Sequence, residues 1–168
     1  MNMRELFGQN DIARRVAELG REITGFYRDK PLTVIVLMNG GAFFATDLAR
    51  EIDLPLWFDS LRASSYTHDC RGNEVKLSDT LKLPVDGRDI LLVDDIFDSG
   101  ETIKACAKHL LAAGARSVRS AVLVNKLVSG RETQPDWAGF EAPDLYLVGF
   151  GLDSEEFYRN LPCIGVIE

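Results

Sequence analysis

With 168 residues, 46% of them hydrophobic, the chain holds material for one compact core and is short for two. A formal charge of -7 at pH 7 argues against nucleic acid as a partner, because backbone binding is built from clustered Lys and Arg that displace counterions. No apolar run approaches the ~18 residues of a membrane span, the first residues lack a secretory layout, and Cys70, Cys106 and Cys163 fit neither a paired metal motif nor an even disulfide framework, so free thiols, a cytoplasmic location and no membrane partner are expected.

Along 11–26, Ile12, Val16, Leu19, Ile23 and Phe26 recur at spacings of four and three, which predicts a helix burying one stripe and capped by Asn10 or Asp11. Residues 32–37 form a run too short for a typical helix and apolar on both faces, as an interior strand of a parallel sheet requires. Gly40 and Gly41 then turn the chain. Residues 42–52 read as a helix and 55–64 as a second extended segment, while 67–73 is polar, with no core-facing pattern, and reads as a mobile loop.

Asp86-Gly87 signals a turn, and 90–93 is another short apolar strand running into Asp94-Asp95-Ile96-Phe97-Asp98-Ser99-Gly100. The helix that follows carries Ile103, Ala107, Leu110 and Leu111 on one face, with Gly114 where a left-handed C-terminal residue is expected. Short strands at 120–124 and 146–148 complete an alternating order that predicts an α/β fold with a right-handed, mostly parallel sheet.

The segment 93–102 concentrates the chemistry. Ser99, Gly100, Glu101 and Thr102 sit at a helix start, where free amides and the helix dipole favour a phosphate. Asp94 and Asp95, at the carboxyl end of a parallel strand where ligands of open α/β sheets gather, can accept hydrogen bonds from two ribose hydroxyls, and Asp98 reaches toward a base. Acidic residues before a helix commonly serve as caps, but a cap uses one carboxylate, and three in five residues repel unless a cation or polyol joins them. No GxxxxGK[ST] segment occurs, and 149–154 lacks the third small residue of a dinucleotide fingerprint, which removes support for nucleotide hydrolysis and hydride transfer.

Residues 92–102 resemble the phosphoribosyl-pyrophosphate signature of type I phosphoribosyltransferases, and 136–144, 148–153 and 158–162 are similar to the hypoxanthine-guanine phosphoribosyltransferases. The resemblance runs over nearly the whole chain. It implies a central sheet flanked by helices, a small hood contributed by about 1–10 and 136–168, and Mg2+-dependent transfer of ribose-5-phosphate from phosphoribosyl pyrophosphate to a 6-oxopurine. It also implies a homodimer or homotetramer.

Carried across by matching positions, the resemblance makes Asp98 the general base near purine N7 and gives the ribose hydroxyls to Asp94 and Asp95. Ser99, Gly100, Glu101 and Thr102 cradle the 5-phosphate; Lys126 donates to the 6-oxo group; Tyr146 stacks on the purine; the Leu147 backbone meets its edge. Asp153, with Asp94 and Asp95, serves magnesium, and Arg159 faces pyrophosphate. Ser65 and Tyr66 open a lid loop that excludes water. Asn39 and Gly40 occupy the pyrophosphate loop, where the family commonly has a non-proline cis peptide and often a lysine or arginine in place of Asn39. Asp94 stands where a glutamate is frequent, Ser99 where a threonine is, and Glu101 adds a negative charge beside the phosphate amides. The alternatives are a fold-retaining, nucleotide-sensing regulator, which calls for a basic face that the net charge disfavours, and a phosphoribosyltransferase that prefers xanthine.

Overall fold

The computed structural model describes residues 3–67, 73–78, 81–131 and 133–167. In chain order the elements are β1 (Met3–Phe7), α1 (Gln9–Tyr27), β2 (Leu32–Met38), α2 (Ala42–Glu51), β3 (Leu56–Thr67), β4 (Asn73–Ser78), β5 (Asp89–Phe97), α3 (Glu101–Ala112), β6 (Ser117–Lys126), β7 (Trp137–Ala142), β8 (Leu147–Val148) and β9 (Ile164–Ile167).

Six strands form the main sheet in the order β4-β3-β2-β5-β6-β7. Every pairing in it is parallel except β3 with β4. Successive side chains of a strand point to opposite faces, so a strand covered on both sides must be apolar throughout. In β5, Leu91 and Val93 join the core beneath α1 and α2, with Ile12, Val16, Leu19, Ile23, Phe44 and Leu48. Its neighbours Ile90 and Leu92 face the other way and pack under α3 with Ile103, Cys106 and Leu110. Each such side chain contributes about 1.5–3 kcal/mol on burial. The central strands β2 and β5 are thereby fixed between two layers, and their carboxyl ends become a rigid platform.

A second, three-stranded antiparallel sheet, β1-β9-β8, joins the two ends of the chain. The hood expected from about 1–10 and 136–168 is thus narrower at its second boundary: β7 pairs parallel with β6 and closes the main sheet, and the small sheet starts only at Leu147.

Several local expectations are corrected. Helix α1 has Gly8 at its N-cap with no side-chain cap, and the Asp11 carboxylate accepts from Arg14 at 2.7 Å instead. Phe26 is 53% exposed while Tyr27 is buried: both lie within one turn of Ile23, and Phe26 packs edge-on against Trp137, centroids 5.2 Å apart. Leu111 is 51% exposed, because it sits about 100° round the helix from Leu110, and Cys106 fills the inner face in its place. Tyr146 lies outside β8, and 147–148 pairs antiparallel with β9 rather than extending the parallel sheet. Strand β5 runs on through Asp94 and Asp95 to Phe97, so both carboxylates belong to the strand and not to a loop. Gly114 does take the left-handed conformation at the end of α3, with φ +97. Cys106 and Cys163 are free and buried. No helix among the described residues is long and apolar enough to cross a membrane. Of the expected loop 67–73, residues 68–72 lie outside the described residues.

Candidate active site

The parallel strands β2, β5 and β6 end on the same side of the sheet, and a cleft of about 520 Å3 opens there. Met38 and Gly40 border it from the end of β2, Asp94 and Asp95 from β5, Lys126 from β6, and Tyr146, Asp153 and Arg159 from the segments around the small sheet. Thr102 reaches it from α3, and Leu37, Ala63, Ile96, Leu147 and Leu152 supply apolar walls. Of the sixteen residues that the sequence assigns to one reaction from distant parts of the chain, nine border this one cavity, and Asp98 stands beside it through its contact with Lys126.

Asp94 and Asp95 are adjacent carboxylates in a largely desolvated strand. Burial, then repulsion from Asp95, holds Asp94 well above the usual carboxylate range. Burial raises Asp95 as well, against the opposing effects of its hydrogen bond with Asp94 and the nearby charge of Arg159. The Asp95 N–H donates to Asp94 Oδ1 at 2.9 Å. A pair poised in this way gains from ligand groups that donate to it, and vicinal hydroxyls are such groups.

The peptide between Met38 and Asn39 is cis. Gly40 lies so close to the Asp95 carboxylate that a Cβ there would collide with it. Asn39 itself is exposed in the turn and does not border the cleft.

Lys126, at the last position of β6, is only 12% exposed along its side chain. Its Nζ lies 3.2 Å from Asp98 Oδ2 and 3.2 Å from Asp144 Oδ1. Burial alone would lower the lysine's pKa, but the hydrogen bonds to Asp144 and Asp98 outweigh it and hold the group above its ordinary value. The cleft therefore carries a fixed ammonium with one proton left to donate. Tyr146, 59% exposed, borders the same opening with a free ring face.

The turn at 149–152 is set by glycine. Gly149 and Gly151 have φ of +98 and +104, and a side chain on Gly151 would run into the Gly40 carbonyl, so this turn rests directly on the Met38–Gly40 loop. Arg159 is clamped to it reciprocally: its Nη1 donates to the Gly151 carbonyl at 2.7 Å, and the Gly151 N–H donates to the Arg159 carbonyl at 2.9 Å. Arg159 Nη2 lies 2.8 Å from Asp153 Oδ1, and Asp153 Oδ2 accepts the Glu156 N–H at 2.9 Å.

At the start of α3, Gly100 has φ +83 and a Cβ there would strike the Phe97 ring. Ser99 Oγ accepts from the Glu101 N–H at 3.3 Å. The Glu101 side chain is exposed, 3.9 Å from Lys104 Nζ, so its charge turns to solvent and away from the amides. Of the four residues expected around a phosphate, Thr102 borders the main cleft, while Ser99 and Glu101 border an adjoining hollow with Lys104 and Arg131. Ser65 and Tyr66 lie near the end of β3, and the lid expected beyond them falls on 68–72, outside the described residues.

No cluster of three or more His, Cys, Asp or Glu side chains among the described residues is arranged to hold a metal. The donors that do border the cleft, Asp94, Asp95 and Asp153, are hard oxygen ligands, which suits an ion such as magnesium that keeps waters and takes only one or two carboxylates besides substrate oxygens. Two residues outside the sequence-based set stand out here. Asp144 lies in the 136–144 stretch, but nothing local marks it as the second partner of Lys126. Arg131 follows a Gly in a polar loop, where a solvated arginine is the ordinary expectation.

The phosphoribosyl transferase domain model matches residues 3–155. The hypoxanthine-guanine phosphoribosyltransferase of Bacillus subtilis (strain 168) is 39% identical over 166 residues, 97% of this chain and 92% of that protein. The hypoxanthine-guanine-xanthine phosphoribosyltransferase of Tritrichomonas foetus is 34% identical over 98% of this chain and 91% of its own length. Among solved structures, a hypoxanthine phosphoribosyltransferase from Staphylococcus aureus superposes with a TM-score of 0.91 at 32% identity, covering 98% of this chain and 91% of that one. The chain belongs to the phosphoribosyltransferase family, in its hypoxanthine-guanine branch.

Proposed function

We propose that the protein is a cytoplasmic, Mg2+-dependent purine-salvage enzyme that joins hypoxanthine or guanine to the ribose-5-phosphate of phosphoribosyl pyrophosphate and releases pyrophosphate. The observation that carries this reading is Lys126 Nζ held 3.2 Å from both Asp98 and Asp144 beside the Asp94–Asp95 pair.

The Lys126 ammonium donates to the purine 6-oxo group. Adenine presents an amino donor at that position and leaves the third ammonium proton unpaired, a mismatch that sites built on hydrogen bonds reject strongly. Tyr146 stacks on the base, and the Leu147 backbone meets its edge. Asp94 and Asp95 accept from the ribose hydroxyls, and the α3 start, with Ser99, Gly100, Glu101 and Thr102, takes the 5-phosphate. Asp98 takes the proton at purine N7 while a ring nitrogen bonds to ribose carbon 1 and pyrophosphate departs with the electron pair of the broken bond. Arg159 and the Asn39–Gly40 backbone receive the pyrophosphate. Magnesium, held through Asp153 and the Asp94–Asp95 pair, would offset the charge of the leaving group. The lid opened by Ser65 and Tyr66 keeps water from the electron-deficient ribose carbon. Exposed Phe43 and Phe157 offer apolar surface for a homodimer or homotetramer.

Xanthine also carries a 6-oxo group, and the Tritrichomonas foetus relative is named for it. The test is nucleotide formation from phosphoribosyl pyrophosphate and magnesium with hypoxanthine, guanine, xanthine, adenine or uracil in turn. Hypoxanthine and guanine are expected to give product; xanthine as the best substrate would shift the assignment within the 6-oxopurines; product from adenine or uracil alone would overturn it.

A further inference from the structure

Arg131 bridges the main chains of the two residues to which the chemistry is assigned. Its Nη1 donates to the Asp98 carbonyl at 2.8 Å, to the Lys126 carbonyl at 2.9 Å and to the Phe97 carbonyl at 3.3 Å. Its Nη2 donates to Asn125 Oδ1 at 2.7 Å and Gln134 Oε1 at 2.9 Å, and its Nε to the Thr133 carbonyl at 3.1 Å. The guanidinium also lies 4.7 Å from the centroid of the Phe97 ring. All these acceptors are carbonyl or amide oxygens, so the group ties main chain to main chain.

Phe97 is the last residue of β5 and Lys126 the last of β6, where sheet pairing, which ends at Phe97 with Asn125, no longer holds the two strands together. Beyond that point one planar fork holds the main chain that bears Asp98 and the main chain that bears Lys126. We infer that Arg131 is a positioning residue: it fixes the separation of Asp98 from Lys126 and so sets how a purine is held and deprotonated. The inference rests on the roles proposed for those two residues. A lysine cannot replace it, because an ammonium reaching the acceptors of Nη1 has no second arm for Asn125 Oδ1, Gln134 Oε1 and the Thr133 carbonyl, the contacts that fix the plane of the fork. Misplacement of reacting groups by about 1 Å can cost on the order of 100-fold in rate.

The experiment compares wild type, Arg131→Lys and Arg131→Ala in steady-state kinetics with hypoxanthine and phosphoribosyl pyrophosphate, in thermal melting, and in calorimetric binding of inosine monophosphate. Both variants are expected to lose about tenfold or more in kcat and to raise KM for hypoxanthine by about tenfold, with KM for phosphoribosyl pyrophosphate within about twofold. Added guanidinium ion is expected to restore part of the activity of Arg131→Ala. If that variant does not fold, Arg131→Lys carries the comparison. Unchanged hypoxanthine kinetics, or parallel losses for both substrates together with a lowered melting temperature and no rescue, would overturn the inference. Wild type that binds no purine nucleotide would instead remove the roles of Asp98 and Lys126, and this inference with them.

Discussion

Lys126 Nζ and Asp98 Oδ2 are 3.2 Å apart at the ends of neighbouring parallel strands. The contact joins the group assigned to recognise the base and the group assigned to deprotonate it, so each is held by the other before substrate arrives. Removing Lys126 leaves Asp98 without this counterion, whereas removing Asp98 leaves Lys126 with Asp144, and the two losses have different kinetic signatures.

Lys126→Ala removes the donor for the 6-oxo group and leaves the Asp98 and Asp144 carboxylates facing each other across the vacated position. A lost charge-assisted hydrogen bond is worth about 1.5–3 kcal/mol, which predicts KM for hypoxanthine and guanine raised by roughly 10- to 100-fold. KM for phosphoribosyl pyrophosphate is expected to change little, and steady-state kinetics with each substrate varied in turn reads both.

Asp98→Asn keeps the shape of the side chain and loses its basicity. General base catalysis contributes about 100- to 10,000-fold, so kcat is expected to fall within that range while KM for the purine stays near wild type. Single-turnover measurements check that the chemical step, and not product release, carries the loss.

Asp94→Asn tests the acidic pair through pH. The folded-state pKa of Asp94 is raised, so the folded protein binds that proton more tightly than the unfolded chain does. The stability this gives is complete below the unfolded carboxylate value near ~4 and is lost as pH rises through the folded value. The asparagine variant escapes that loss, so its melting temperature is expected to exceed that of wild type by an amount that grows as pH rises above the unfolded carboxylate range. It should also lose the stabilisation that phosphoribosyl pyrophosphate gives wild type, since its ribose acceptor is gone. A difference that shrinks with pH would contradict the burial argument.

Gly151→Ala places a side chain at φ +104 and against the Gly40 carbonyl. Backbone in that region costs a non-glycine residue about 1–3 kcal/mol, and the turn cannot shift without moving its clamp on Arg159. Thermal denaturation is expected to show a drop of several degrees, with a rise in KM for phosphoribosyl pyrophosphate exceeding that for hypoxanthine.

What could be read from the chain alone follows from how local each signal was. The runs 32–37 and 90–93 are apolar on both faces because α1 and α2 cover one side and α3 the other, and they came out as interior strands. The acidic stretch at 94–98 stood out because so many like charges in one place need an external partner. Strands β1 and β9 left no such mark: Met3 to Glu5 are exposed, and their pairing with Ile167 to Gly165 is fixed only when the two chain ends meet. The inner choices of Tyr27 over Phe26 and of Cys106 over Leu111 depended on the neighbours each helix face meets. Within the cleft, resemblance to a family supplied Lys126, Tyr146, Asp153 and Arg159, whereas Asp144 and Arg131 act through contacts with residues distant in sequence and had no local signature.

The most direct measurement follows pyrophosphate and nucleotide together when purified protein is given phosphoribosyl pyrophosphate, magnesium and hypoxanthine, with Asp98→Asn alongside. Equal amounts of inosine monophosphate and pyrophosphate, absent without hypoxanthine and lowered by at least about 100-fold in the variant, are the predicted result. Pyrophosphate released without nucleotide, or nucleotide formed at the same rate by the variant, would contradict the assignment of this cleft to base transfer through Asp98.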